Sequence, residues 1–237
     1  MKRLFLFAAV LLLLAGAASA RTTVSVERTC PICDHTFTYE MDVSGTQMGM
    51  RLDLKPLGAI GDPPEIPLCP RCRFVVYSKD IPAEELAKCR AIVQAEAYKR
   101  QANRASYYLL GLLYEGLGKD SLLLGHTFLK ASWQEEADEE KLNDALERSL
   151  KHFEAYLAEG LKDEDARDGD AYRTGQLLKG ELLRRLGRFD DAKAHLAALR
   201  KARGFQGTFL GQIAEYQIAL CDKEDSKPHA VPTPRGR

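Results

Sequence analysis

The sequence predicts a mostly α protein, a helical repeat domain preceded by a small β domain. Three observations carry that prediction. Two Cys-Pro-x-Cys pairs fall within residues 21–79, a stretch that also holds most of the chain's ten prolines. From Asp80 to Cys221 the only proline is Pro82, and Ala, Leu, Glu, Lys and Arg dominate. Within that second stretch, glycines and large apolar residues recur at a fixed distance.

Residues 1–20 read as a cleaved signal peptide. Met1-Lys2-Arg3 gives a short basic start, and Leu4 to Ala15 is almost wholly apolar. Ala18-Ser19-Ala20 supplies the small-x-small pattern of a cleavage site before Arg21. The apolar run is about a dozen residues, short of the roughly 20 that span a bilayer. The expected destination is the periplasm or the exterior, with no membrane span after cleavage. The chain carries 34 basic and 34 acidic residues, and without Lys2 and Arg3 the remainder has a net charge of −2. That balance leaves no basic footprint for nucleic acid.

Residues 21–79 are expected to form the β domain. Cys30-x2-Cys33 and Cys69-x2-Cys72 are separated by 35 residues. Each pair can form a knuckle whose tight turn directs two sulfurs at one ion, and two knuckles complete the tetrahedron that zinc prefers. The β-type runs Thr36-Phe37-Thr38-Tyr39 and Phe74-Val75-Val76-Tyr77 fit the strands of a zinc ribbon. The separation exceeds the common spacing of roughly 15–20 residues. Lengthening a loop costs only about 0.6 kcal/mol per doubling, so LKPLGAIGDPPEIP (54–67) reads as an insertion. The expected cofactor is one structural zinc ion on Cys30, Cys33, Cys69 and Cys72.

Two other chemistries share this spelling. An oxidising compartment favours disulfides, and four cysteines can make two. A thiol–disulfide oxidoreductase centre also uses CPxC, at a helix N-terminus after a buried strand. Here the preceding strand is short and polar, and β-type residues follow CPIC. His35 reads as a turn residue, not a ligand. Cys89 and Cys221 form a candidate disulfide joining the first helix to the last; the alternative is two small buried residues.

Residues 80–222 are expected to form the helical domain. Asp80 and Pro82 open a helix, with Glu84 and Glu85 placed where the helix dipole favours acids. Leu110-Gly111-x-x-Tyr114 is followed by Gly118, Leu124, Phe128 and Ala131. Gly180, Leu183, Gly187, Phe189, Ala192 and Leu196 echo it, with Gly111 and Gly180, and Gly118 and Gly187, each 69 residues apart. That is two periods of about 34 residues, the tetratricopeptide (TPR) length. Residues 139–158 read as one long amphipathic helix with Leu146, Leu150, Phe153 and Leu157 inward. An ordinary α-bundle is the alternative. On a TPR-like superhelix, Tyr108, Leu112 and Glu115 would line a concave groove from the first repeat, and Leu177, Glu181 and Arg184 from the later one.

Other charged stretches read as solvent-facing. The carboxylates of EEADEE (135–140) look like a solvated face, and Arg184-Arg185 with Arg188 like exposed bases near a helix end. GLGKDS (116–121) fails as a phosphate loop because its spacing is wrong and Asp120 stands where a hydroxyl should meet magnesium. KEDSKPHAVPTPRGR (223–237) is polar with three prolines and reads as a disordered tail.

CPIC, Arg51-Leu52-Asp53-Leu54-Lys55-Pro56, CPRC and KGELLRRLGRFDDAKAHL (179–196) together resemble a bacterial domain-of-unknown-function family that joins an N-terminal zinc ribbon to TPR-like helices. The likeness covers most of residues 29–220. It implies an α-helical repeat domain and a structural zinc, with no assigned activity. The family pattern places glycine after each second cysteine, whereas Asp34 and Arg73 stand there here. The expected function is an exported zinc-binding, TPR-like module that binds a protein or peptide or serves as a scaffold. The alternatives are a thiol–disulfide oxidoreductase using CPIC, and a structural part of an envelope assembly with the CPxC pairs as disulfides.

Overall fold

The computed structural model describes residues 22–59, 63–161 and 169–233. The expected leader, its cleavage site and the last four residues lie outside them. Strands β1 (Thr22–Thr29) and β2 (Thr36–Ser44) form an antiparallel hairpin, with Val24 opposite Met41 and Thr29 opposite Thr36. Strands β3 (Gln47–Met50) and β4 (Pro56–Gly58) form a second, shorter antiparallel pair. Eight helices follow among the described residues: α1 (Ala83–Gln94), α2 (Glu96–Lys99), α3 (Ser106–Gly116), α4 (Ser121–Gln134), α5 (Glu139–Gly160), α6 (Asp170–Arg185), α7 (Phe189–Leu199) and α8 (Phe209–Cys221). From α3 onward each helix packs on the next, and α8 also returns to α6. The protein is mostly helical with a small β region. No described helix is long and apolar enough to cross a membrane.

Local chemistry explains the helix ends. Pro82 precedes α1 with its φ fixed at −56°, and Glu84 and Glu85 occupy the first turn. Asp120 caps α4 through the Leu123 amide at 2.9 Å, and Asp138 caps α5 through that of Lys141 at 3.2 Å. The rejected phosphate-loop stretch is therefore a helix end, a turn and a cap. The 139–158 segment is one helix, as its periodicity predicts, with Leu146, Leu150, Phe153 and Leu157 buried.

The two glycine pairs occupy matching places. Gly118 and Gly187 lie in the left-handed region at φ 68° and 73°. Each follows a helix whose end is closed by the same two bonds: Gly118 to Glu115 and Lys119 to Tyr114, then Gly187 to Arg184 and Arg188 to Leu183. This is the Schellman arrangement, which a side chain at the glycine would strain. Gly111 and Gly180 serve close helix contact instead. A Cβ on Gly111 would lie 2.5 Å from the Phe128 ring, and one on Gly180 2.4 Å from the Leu196 side chain. The pairs α3–α4 and α6–α7 are thus built alike.

The core runs through three clusters. The first joins Cys30, Cys69, Phe74 and Val75 to Cys89, Val93, Tyr98, Tyr108 and Leu113. The expected boundary at 79/80 therefore does not separate two cores. The second gathers Leu129, Trp133, Leu146, Phe153, Leu178 and Cys221, and the third Leu52, Leu177, Leu196, Phe205 and Ile213.

One expectation needs correction here, at the C-terminus, and it involves the turn just before the stretch read as an insertion. That turn is a clamp on the helices, and Arg51, Leu52 and Asp53 are buried. Arg51 and Arg185 both donate to the Asp53 carboxylate, and Arg51 also pairs with Glu136. Lys55 reaches Glu136 at 2.9 Å and the Trp133 carbonyl at 3.4 Å. The C-terminal segment is placed rather than disordered through Thr233. The Leu52 amide donates to the His229 carbonyl at 2.9 Å, and the Val231 amide to that of Met50 at 2.8 Å. Three prolines suggested a segment without structure, but proline equally presets the extended backbone this edge accepts.

Candidate metal centre

The centre begins with two tight turns of the same build. In the first, the Cys30 amide donates to the His35 carbonyl at 3.0 Å and the Asp34 amide to that of Cys30 at 2.9 Å. In the second, the Cys69 amide donates to the Phe74 carbonyl and the Arg73 amide to that of Cys69, both at 2.9 Å. Thr29 opposite Thr36 closes the first turn, and the bridge from Leu68 to Val75 closes the second. Asp34 and Arg73 hold φ of 55° and 61°, a left-handed backbone that costs a non-glycine residue roughly 1–2 kcal/mol. The turn that the family pattern assigns to glycine is adopted without it.

The structure supplies a reason at Arg73. Its guanidinium donates to the Arg104 carbonyl at 3.2 Å, and its own carbonyl accepts from the Tyr98 hydroxyl at 2.8 Å. Glycine would keep the turn and lose the first of these ties. On the other knuckle, Arg90 of α1 donates to the Pro31 carbonyl at 3.3 Å. Both knuckles are therefore held from the helical side.

The four sulfurs converge. All lie within 4.8 Å of one another, with Cys30 and Cys72, and Cys33 and Cys69, each 3.6 Å apart. Ligands about 2.3 Å from a tetrahedral zinc stand about 3.8 Å from each other, so the donor set fits a metal ion of that size. No disulfide joins any of the six cysteines. Backbone amides are aimed at the sulfurs: those of Ile32 and Cys33 at Cys30, that of His35 at Cys33, and that of Phe74 at Cys72. Such donors stabilise negative sulfur.

Burial pushes Cys30 up to about 11 despite the Ile32 and Cys33 amides, and it also raises Cys72. At Cys33 burial works the same way, but the His35 amide and the thiols of Cys72, Cys69 and Cys30 outweigh it and hold the group below its ordinary value. A divalent cation reverses that logic by deprotonating its ligands outright. Cys30 is fully buried, and its sulfur lies 3.6 Å from that of Cys72 on the other knuckle. Neither feature suits a thiol that must attack an outside disulfide.

The remaining candidates come apart from this centre. The Cys89–Cys221 disulfide is not formed: Cys89 lies in the first core cluster beside the Tyr77 hydroxyl at 3.5 Å, and Cys221 in the second. Burial raises the pKa of both thiols, Cys221 to about 11.

The six groove residues do not line one common groove: Tyr108 borders a cleft of about 470 Å³ with Arg104, Asp144 and Arg148, and Leu177 borders a different one. Tyr108 is buried with the Arg104 guanidinium 3.3 Å from its ring centre. Leu112 packs on the first cluster, and Glu115 accepts from Arg148 at 3.0 Å and is paired with His152 at 2.9 Å. Leu177 belongs to the third cluster. Glu181 and Arg184 form a fully buried ion pair, and Arg184 also holds the Asp225 and Lys227 carbonyls. Helical spacing alone could not tell a solvent-lined face from one covered by the chain's own end.

Charges read as solvent-facing are also inside. Glu135 takes both ends of the Arg104 guanidinium, at 2.9 and 2.7 Å, and the Ala105 amide at 2.9 Å. Arg185 is buried on Asp53. No family model, curated protein or solved structure compared with this chain matches it.

Proposed function

We propose that this chain is an exported zinc-binding protein with TPR-like helices, acting as a protein- or peptide-binding or scaffold module rather than as an enzyme. The observation that carries the reading is the convergence of four thiols on two matching knuckles. Among divalent ions, zinc takes four thiolates at tetrahedral geometry with no redox step of its own. The ion would deprotonate the four cysteines and join two chain segments 35 residues apart. The site is saturated by protein ligands, which marks a structural rather than a catalytic zinc. The TPR-like reading draws on the two helix pairs with matching glycines, and export draws on the sequence of residues 1–20.

A module needs an open surface. A cleft of about 880 Å³ lies between the first hairpin and the start of α1, lined by Tyr39, Ile66, Pro67, Val76, Ile81 and Pro82 among others. Intact mass under native and denaturing conditions, with thiol counting, tests the metal reading. One zinc lost on denaturation, with Cys30, Cys33, Cys69 and Cys72 all reduced, is expected. Two disulfides and no metal would replace it with the covalent reading. N-terminal sequencing of the exported chain should begin at Arg21.

A further inference from the structure

We infer that the edge formed by Met50, Arg51 and Leu52 is a strand-acceptor site for an extended, proline-flanked peptide, occupied within the chain by its own C-terminal segment. The inference deepens the module reading above and rests on it. Around the pair Arg51 and Ala230, the Leu52 amide donates to the His229 carbonyl and the Val231 amide to the Met50 carbonyl. This is a single antiparallel bridge at the end of the β3–β4 pair, the pattern by which a strand is added to an edge. Pro228 and Pro232 bracket the three residues that pair. Each lacks an amide donor and biases the residue before it toward extended backbone, which fixes both the length and the register of what can dock.

Side chains add selectivity to the backbone bonds. Val231 packs on the third core cluster, which contains Leu52, Leu177 and Ile213. It enters a pocket of about 620 Å³ that also includes Met48, Met50 and Leu210, so the site has room beyond one valine. Met48 is 82% exposed at its mouth. Upstream, Arg184 gathers the Asp225 and Lys227 carbonyls, and His229 is paired with Asp225 at 2.9 Å. None of these contacts requires that the ligand belong to the same chain. They read backbone, a β-branched residue at 231 and the flanking prolines, while Ala230 faces solvent. The occupant is a peptide segment of a partner protein carrying a Pro-x-x-Val-Pro pattern.

The tether explains why the intact chain would hold its own segment by default. Only a few residues separate the end of α8 at Cys221 from His229, and short flexible linkers give effective concentrations on the order of mM. A partner peptide must outcompete that, or bind when the segment is released.

The probe is a synthetic peptide with the sequence of residues 225–233, DSKPHAVPT, tested on the full chain. Val231→Asp should release the segment while leaving the acceptor edge intact. Fluorescence anisotropy is expected to give binding to this variant at least about tenfold tighter than to the unaltered chain, and none for a probe carrying Asp in place of its valine. A variant that keeps its melting temperature and ignores the probe would overturn the site, as would equal binding to both chains. If Val231→Asp does not fold, amide exchange on the unaltered chain decides. Excess probe should slow exchange at Leu52 while speeding it at Val231, and no change at either would overturn the inference. Neither failure touches the zinc stoichiometry, so the module reading stands or falls separately.

Discussion

At one end of the β region, Cys30, Cys33, Cys69 and Cys72 meet in a cluster whose attachment to the helices runs through Arg90, Tyr98 and Arg73. At the other end, Asp53 lies between Arg51 and Arg185, and the helices hold the segment through ion pairs with no sulfur nearby. The first anchor fastens the knuckles to α1, α2 and the turn before α3, and the second fastens residues 51–55 to α6 and the end of α4. They differ in what each lacks when taken alone. Four sulfurs brought together, with burial raising the Cys30 and Cys72 thiols, invite a cation. A buried carboxylate between two guanidinium groups already has its counter-charge. The first anchor is conditional on an ion, and the second is built into the chain.

The largest effect should come from breaking the conditional anchor. Cys69→Ser is expected to abolish stoichiometric metal and to destabilise the protein by about 5 kcal/mol or more in urea titration. A structural zinc contributes roughly 10–16 kcal/mol in peptides with no other core; here Phe74 and Val75 remain buried and soften the loss. A variant that loses metal but not stability would make the ion a passenger.

Breaking the built-in anchor should cost less. Asp53→Ala leaves Arg51 and Arg185 buried with their shared counter-charge gone, and removing one partner of a buried pair costs about 3–5 kcal/mol. Replacing Arg51, Asp53 and Arg185 together by leucine should be close to neutral, since well-packed apolar residues often match a buried ion cluster. Metal content should stay unchanged in both variants. If Asp53→Ala also releases the ion, the two anchors form one unit.

A smaller effect tests whether the helix pairs are equivalent. Gly111→Ala and Gly180→Ala should each cost about 1–3 kcal/mol through overpacking against Phe128 and Leu196. A marked difference between the two would argue for an ordinary bundle over a repeat.

The smallest effect is in pH. Burial holds His126 and His195 below their ordinary 6.5, aided by Lys130 and Lys179 respectively, although the Gln176 carbonyl favours the charged form of His195. The unfolded chain therefore binds protons first as pH falls below 6.5, and stability should decline from there toward the folded pKa of each group. His195→Gln should flatten part of that decline in melting curves recorded between pH 7 and 5. An unchanged slope would remove His195 from the account.

The sequence made one anchor plain and hid the other for a physical reason. Thiols at CPxC spacing have few uses, so the four cysteines that converge could be named from their pattern alone. Arg51, Asp53 and Arg185 are ordinary surface residues until two segments 132 positions apart meet, and no local pattern encodes that meeting. The same holds for Glu181 and Arg184, whose helical spacing was legible while the C-terminal segment covering them was not. Gly118 and Gly187 were found because a left-handed turn leaves a local mark. Tyr108 was misplaced because an aromatic residue at helical spacing looks the same on a packed face as on an open one.

The most direct test of the conditional anchor is residue-resolved amide hydrogen exchange with one equivalent of zinc and again after chelation. The account predicts that the amides of Cys30, Asp34, Cys69 and Arg73, which close the two knuckles, lose protection when the ion is removed. Those of Arg51 and Leu52, which close the clamp and the C-terminal strand, should keep it. Unchanged exchange at the knuckles, or equal loss at both ends, would contradict a metal-held anchor acting beside an ion-paired one.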